Sequence, residues 1–184
     1  MPIRLGHQEA KSLAGAPSPS PSSQQTAPLI STPLGVGMTE SDLLAAIVQT
    51  FSRHSRPTVF TNAHHCCECA EHNQTLSAYT PESLTSDAIG NPGWDPVCFA
   101  TEAAYLYFFP GLARLALAGR GESFYLDQFV SQLSNRTHLF DASERQLAHA
   151  LLWHLIDTFD GDPYCDDFTL WRLDDCLRKL EEVG

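Results

Sequence analysis

Basic residues are scarce in this chain. Eleven Lys and Arg stand against 22 Asp and Glu, leaving a net charge of -11 with histidine neutral. Nucleic-acid binding needs a basic face to meet the phosphate backbone, so the balance argues against such a partner. It equally disfavours anionic membrane surfaces. There is no charged-then-apolar signal segment and no apolar run of spanning length, so no membrane role is expected. The six cysteines lack the even spacing of a disulfide framework, and neighbouring cysteines cannot bridge one another without strain. A reduced, cytoplasmic setting is the expectation that follows. Also missing are a Gly-rich phosphate loop, a Gly-x-Ser-x-Gly elbow, a His-Glu-x-x-His helix and any internal repeat. Without them the chain carries no recognised catalytic signature.

At 184 residues, 43% hydrophobic and 18% charged, the chain has enough material for one domain with a core. Residues 1–37 stand apart. They run through Ala16-Pro17-Ser18-Pro19-Ser20-Pro21 and scattered Pro and Gly with no hydrophobic period, which predicts a disordered leader. Met38, the second methionine, opens the first helix signal and is an alternative start. The domain is therefore placed at 38–184.

Within it the apolar spacing predicts an all-α, bundle-like fold of about six helices with no reliable strand. Thr39 caps a helix over 40–54 with Leu43, Leu44, Ile47, Val48 and Phe51 on its inner stripe. Thr58-Val59-Phe60-Thr61 is strand-like but short. A helix over 66–79 follows, burying Leu76 and Tyr79. Thr80-Pro81-Glu82 predicts a short helix through Leu84. Ile89 to Pro96 is a turn-dense loop around Trp94. Thr101 caps an aromatic-rich helix that Pro110 either kinks or divides. Helices over 122–134, over 143–159 behind a Ser143-to-Gln146 capping box, and over 167–182 complete the set. His149 and His154, five apart, do not share a face and read as surface or core histidines. Asp157 to Asp162 has the acids and glycine of a calcium loop without its ligand order or terminal glutamate, so it is not one. The acidic crowding over 157–182 reads as a solvated face, with a basic protein partner as its functional version.

Chemistry concentrates in His64-His65-Cys66-Cys67-Glu68-Cys69-Ala70-Glu71-His72, which holds three of the six cysteines and three of the eight histidines. Cys66-x-x-Cys69 overlaps Cys69-x-x-His72, and thiolate and imidazole are the ligands zinc prefers. A zinc site usually needs a second such knuckle. Here the remaining ligand must come from elsewhere, with Cys98 first and Cys165 or Cys176 behind it. Were 65–72 fully helical, His65 and His72 would stand about 10 Å apart along the axis and one ion could not take both. A loop through 62–66 with a helix from about 67 suits a metal better, because His64, His65 and Cys66 then fold over the helix N-terminus. The candidate ligands are Cys66, Cys69 and His72, with His65, Cys67 and Cys98 competing for the remaining positions, and the ion is Zn2+. Trp94 and Asp95, on the turn-dense loop, are candidate pocket residues.

His65 to His72, Asn91-Pro92-Gly93-Trp94-Asp95-Pro96 and Pro110-Gly111-Leu112-Ala113-Arg114-Leu115 together resemble an uncharacterised bacterial helical family, a domain of unknown function. The resemblance covers roughly 58–158 and implies no mechanism. Three readings of the cluster follow from the residues. The first is a metal site. The second is a non-enzymatic interaction or regulatory module in which the cysteines are small buried hydrophobes. The third is a thiol-based redox protein or enzyme using Cys66, Cys67 or Cys69.

Overall fold

The stripe of Leu43, Ile47 and Phe51 has nowhere to go but against other helices, and the architecture follows from satisfying several such stripes at once. The computed structural model describes residues 38–89, 91–119, 125–159 and 166–182, all within one compact unit. Among the described residues seven α-helices run in the order α1 (Glu40–Phe51), α2 (Cys67–Ser77), α3 (Ser86–Ile89), α4 (Glu102–Ala118), α5 (Tyr125–Ser134), α6 (Ala142–Phe159) and α7 (Asp167–Glu182). Short 3-10 turns lie at Pro92–Trp94, Pro96–Phe99 and Thr137–Leu139. The fold is all-α, and no strand occurs among the described residues. No described helix is long and apolar enough to cross a membrane. The leader at 1–37 lies outside the described residues, as do Cys165 and the second half of the rejected calcium loop.

Helix α4 is the central element, packed against α1 on one side and α5 on another, while α6 bridges α1 and α7. It runs unbroken through Pro110. A mid-helix proline costs about 3 kcal/mol, but Phe108, Phe109 and Leu112 around it are all essentially inaccessible. Burying side chains of that size is worth about 1.5–3 kcal/mol each, so packing outweighs the lost backbone bond. The Phe109 ring lies 4.5 Å from Phe51 of α1 and 5.0 Å from Phe140, making one aromatic centre.

Local chemistry sets most of the boundaries. Thr39 and Asp42 form a reciprocal capping box at the start of α1. Asp166 Oδ1 accepts the Thr169 amide at 2.8 Å to start α7. At α6 the box is Asp141 with Glu144, two residues earlier than the pattern at Ser143 suggested. Asp141 Oδ1 accepts the Glu144 amide at 2.9 Å, and the Asp141 amide donates to Glu144 Oε2 at 3.0 Å. The Ser143 hydroxyl is itself a donor to Asp141, at 2.8 Å. Thr80 to Leu84 is likewise a hydrogen-bonded turn, its Leu84 amide donating to Thr80 O at 3.0 Å, and the helix comes later as α3. The strand-like 58–61 segment makes a single antiparallel bridge, Thr61 to Ala100.

Candidate metal centre

That bridge begins the site. Asn73 on α2 accepts the amides of Phe60 and Thr61 on its side-chain oxygen at 2.8 and 3.2 Å, and the Thr101 amide donates to Phe60 O at 2.8 Å. Thr61, fully buried, donates its hydroxyl to Cys69 O at 2.6 Å. The segment is thereby clamped between α2 and the start of α4. From there the chain turns tightly, with Ala63 N bonded to Thr61 O and His65 N to Asn62 O at 2.9 Å each. The turn delivers His65 and Cys66 over the first turn of α2, as the loop-then-helix arrangement requires.

Cys66 is the N-cap of α2, in extended conformation, and its sulfur accepts the Cys69 amide at 3.4 Å. A capping side chain of this kind meets the positive end of the helix dipole. Cys69 Sγ lies 3.3 Å from Cys66 Sγ and 3.7 Å from His65 Nδ1. One ligand atom from each of His65, Cys66 and Cys69 falls within 4.8 Å of the others. Around a tetrahedral zinc with Zn–S bonds of about 2.3 Å, sulfur–sulfur edges are about 3.8 Å. The observed sulfur separation is within half an ångström of that. The three side chains are therefore spaced to converge on one ion after small rotamer adjustments.

The electrostatics divide the two thiols. The Cys69 amide, then the His65 and Cys69 side chains, lower the Cys66 thiol to about 7. Cys69 moves the other way, raised first by its bond to Cys66 and then by burial and Glu68. Cys66 is thus the first to become thiolate, beside a neighbour that keeps its proton.

The other sequence candidates lie elsewhere. His72 has no exposed surface: its ring stacks on Phe99 at 4.5 Å and meets Trp94 at 4.7 Å. Among the described residues neither ring nitrogen has a hydrogen-bond partner, and Glu68 Oε1 is 3.6 Å from Nε2. Cys67, the first residue of α2, is exposed and outside the group. Cys98 faces α5 instead, its sulfur taking the Gln132 side-chain amide at 2.8 Å and standing 3.7 Å from Asp95 Oδ2. Burial and Asp95 both raise its thiol. Cys176 is sealed in the core and pushed up to about 12 by burial.

The two pocket residues separate. Trp94 covers His72 and remains 44% exposed, a lid on a buried imidazole rather than a wall. Asp95, 3% exposed, uses Oδ1 to take the Val97 amide at 2.8 Å and cap the Pro96–Phe99 turn. With Cys98, Asp127, Gln128, Gln132 and Arg172 it borders a cavity of about 340 Å³. Burial is the main cause that raises the Asp95 carboxyl.

Thr61 and Asn73, which hold the ligand turn in place, carried no signal in the sequence. Their partners are backbone groups that only the folded chain brings near. A comparison of this chain with protein families, with curated proteins and with solved structures finds no match.

Proposed function

We propose that this protein binds one soft transition-metal ion, zinc first, through His65 Nδ1, Cys66 Sγ and Cys69 Sγ. The convergence of these three atoms within 4.8 Å at the start of α2 carries the reading. Three chemical features support it. Borderline-soft zinc favours thiolate with imidazole over carboxylate. The helix N-terminus favours the negative charge of a bound thiolate. The turn bearing His65 and Cys66 is anchored by Asn73 and Thr61, so little chain entropy is lost on binding.

Three side-chain ligands leave the fourth tetrahedral position for water or for an incoming group. A site of this kind is open in the sense of a catalytic or transfer centre rather than closed as in a zinc finger. His64 and Cys67, both exposed, adjoin His65 and Cys66 in sequence. The resemblance to the bacterial helical family belongs to the same proposal and adds no chemistry to it.

The test is metal content by mass spectrometry on untagged protein purified without chelators. About one zinc per chain is expected, lost in Cys69→Ser and in Cys66→Ser, and weakened in His65→Ala. Cys98→Ser should keep its zinc. Protein with no stoichiometric metal, and none taken up after addition of zinc, overturns the reading.

A further inference from the structure

Two thiols in contact can do something besides hold an ion. We propose that Cys66 and Cys69 are a working dithiol that exchanges with external disulfides, Cys66 meeting the incoming sulfur and Cys69 closing the ring. The exchange uses the same sulfurs as the metal reading but does not depend on a metal being bound.

The geometry carries it. The two sulfurs are 3.3 Å apart, and a disulfide bond of 2.03–2.05 Å needs them to close by little more than 1 Å. Cys66 precedes the helix in extended backbone, so its side chain can turn toward Cys69 without unwinding α2. Access is unequal in the way a directional exchange requires: Cys66 is partly exposed, whereas Cys69 is only 5% exposed and lies beneath it. An external disulfide reaches Cys66 first. The other described cysteines lack this arrangement. Cys67 adjoins Cys66 in sequence and would bridge it only with strain. Cys98 is held by Gln132 on α5, and Cys176 is sealed in the core. Among the described residues, 66 and 69 make the only sulfur–sulfur contact.

The reaction balances with a low-molecular-weight disulfide, R–S–S–R′, as oxidant. Cys66 sulfur bonds to one sulfur of R–S–S–R′, the external S–S bond breaks, and R′S leaves with the proton from Cys66 as R′SH. Cys69 sulfur then attacks Cys66 sulfur, and RS leaves with the Cys69 proton as RSH. His65 Nδ1, 3.7 Å from Cys69 Sγ, is the group within reach of that second proton. Two protein thiols are oxidised and one disulfide is reduced to two thiols. Because a disulfide sulfur is no longer a thiolate ligand, the oxidised state and the metal-bound state exclude each other.

The experiment uses the full-length chain in a Cys67→Ser, Cys98→Ser background, stripped of metal and incubated with oxidised glutathione. Intact mass and peptide mapping follow after acid quenching. The expected product has lost two hydrogens, with the crosslink mapping to Cys66 and Cys69 and little retained glutathione. Adding Cys69→Ser should trap a glutathione adduct on Cys66, at least about tenfold above the background protein, since ring closure no longer expels it. Adding Cys66→Ser should leave Cys69 largely unmodified while circular dichroism shows the helices intact. A folded protein that forms no 66–69 crosslink, or one that takes its first adduct on Cys69, overturns the proposal. Zinc uptake measured on the same preparation separates the two ideas. Zinc bound without a crosslink removes the exchange alone, and a crosslink without zinc removes the metal reading alone.

Discussion

Replacing Gly111 with alanine should destabilise the fold even though alanine is the better helix former. An added Cβ would sit 2.4 Å from Pro81 O, 3.0 Å from Pro81 Cα and 3.1 Å from its carbonyl carbon. Relief requires the two backbones to part by about 1 Å, and neither yields readily. Arg114, one helical turn along α4, donates to the carbonyls of Pro81, Glu82 and Leu84 at 3.3, 3.3 and 2.6 Å. Leu84 beyond them is buried, and Phe109, Leu112 and Ala113 pin the other side of the contact. Alanine returns about 1 kcal/mol of helix propensity. Against this stand about 1–3 kcal/mol of overpacking and the stretching of charge-assisted bonds worth about 1.5–3 kcal/mol each. A net loss of roughly 2–3 kcal/mol is expected, which lowers Tm by about 5–10 °C in a domain of this size. Urea denaturation followed by circular dichroism and tryptophan fluorescence measures it, with the midpoint falling and the slope unchanged. A variant as stable as the parent, or more so, would falsify the close-approach argument, because propensity would then have won.

Three further outcomes can be checked. His72→Leu should leave zinc stoichiometry unchanged and alter stability by no more than about 1 kcal/mol. It gives up a ring stack worth about 0.5–1.5 kcal/mol but removes two unpartnered buried nitrogens. Loss of zinc from the folded variant would make His72 a ligand after all. Asp141→Ala should cost about 1 kcal/mol at neutral pH through the lost α6 cap. The Arg53 guanidinium holds the Asp141 carboxyl well below the usual carboxylate range. Its stabilising effect is therefore full above the unfolded value near 3.9 and fades as pH falls below it. Parallel acid-denaturation curves for the variant and its parent, with an undiminished gap at low pH, would contradict that assignment. Zinc at about a hundred times its dissociation constant should add roughly 2.7 kcal/mol to stability. Cys69→Ser should lose that increment, and a chelator should reverse it in the parent, both read as thermal shifts.

Much of the fold could be read before any coordinates because its signals are local. The Thr39 cap, the stripe of α1 and the bounds of α7 at 167–182 are all set by residues close to one another in sequence. The same holds for Cys66 and Cys69, three apart, and for a loop that ends just before residue 67. Where local signals competed, the pattern misled. Thr80-Pro81-Glu82 looked like a helix start but became a turn whose carbonyls serve Arg114, 30 to 33 residues away in sequence. Ser143 looked like a cap, and Asp141 took the position because its carboxylate also meets Arg53 from the end of α1.

What the sequence alone determined, then, is an acidic all-α chain with one segment dense in thiolate and imidazole. Which of those groups meet was decided by the tertiary structure. His72 lies on the same helix as Cys69, three residues on, yet its ring is taken by Phe99 and Trp94 from a distant loop. Cys98, near enough in sequence to be a candidate ligand, is drawn to Gln132 and Asp95. His65, one competitor among several, becomes a member of the triad because Thr61 and Asn73 fix the turn that carries it. A side chain's chemistry is written in its own identity. Its partner depends on which surfaces the packed helices present, and that is a property of the whole core.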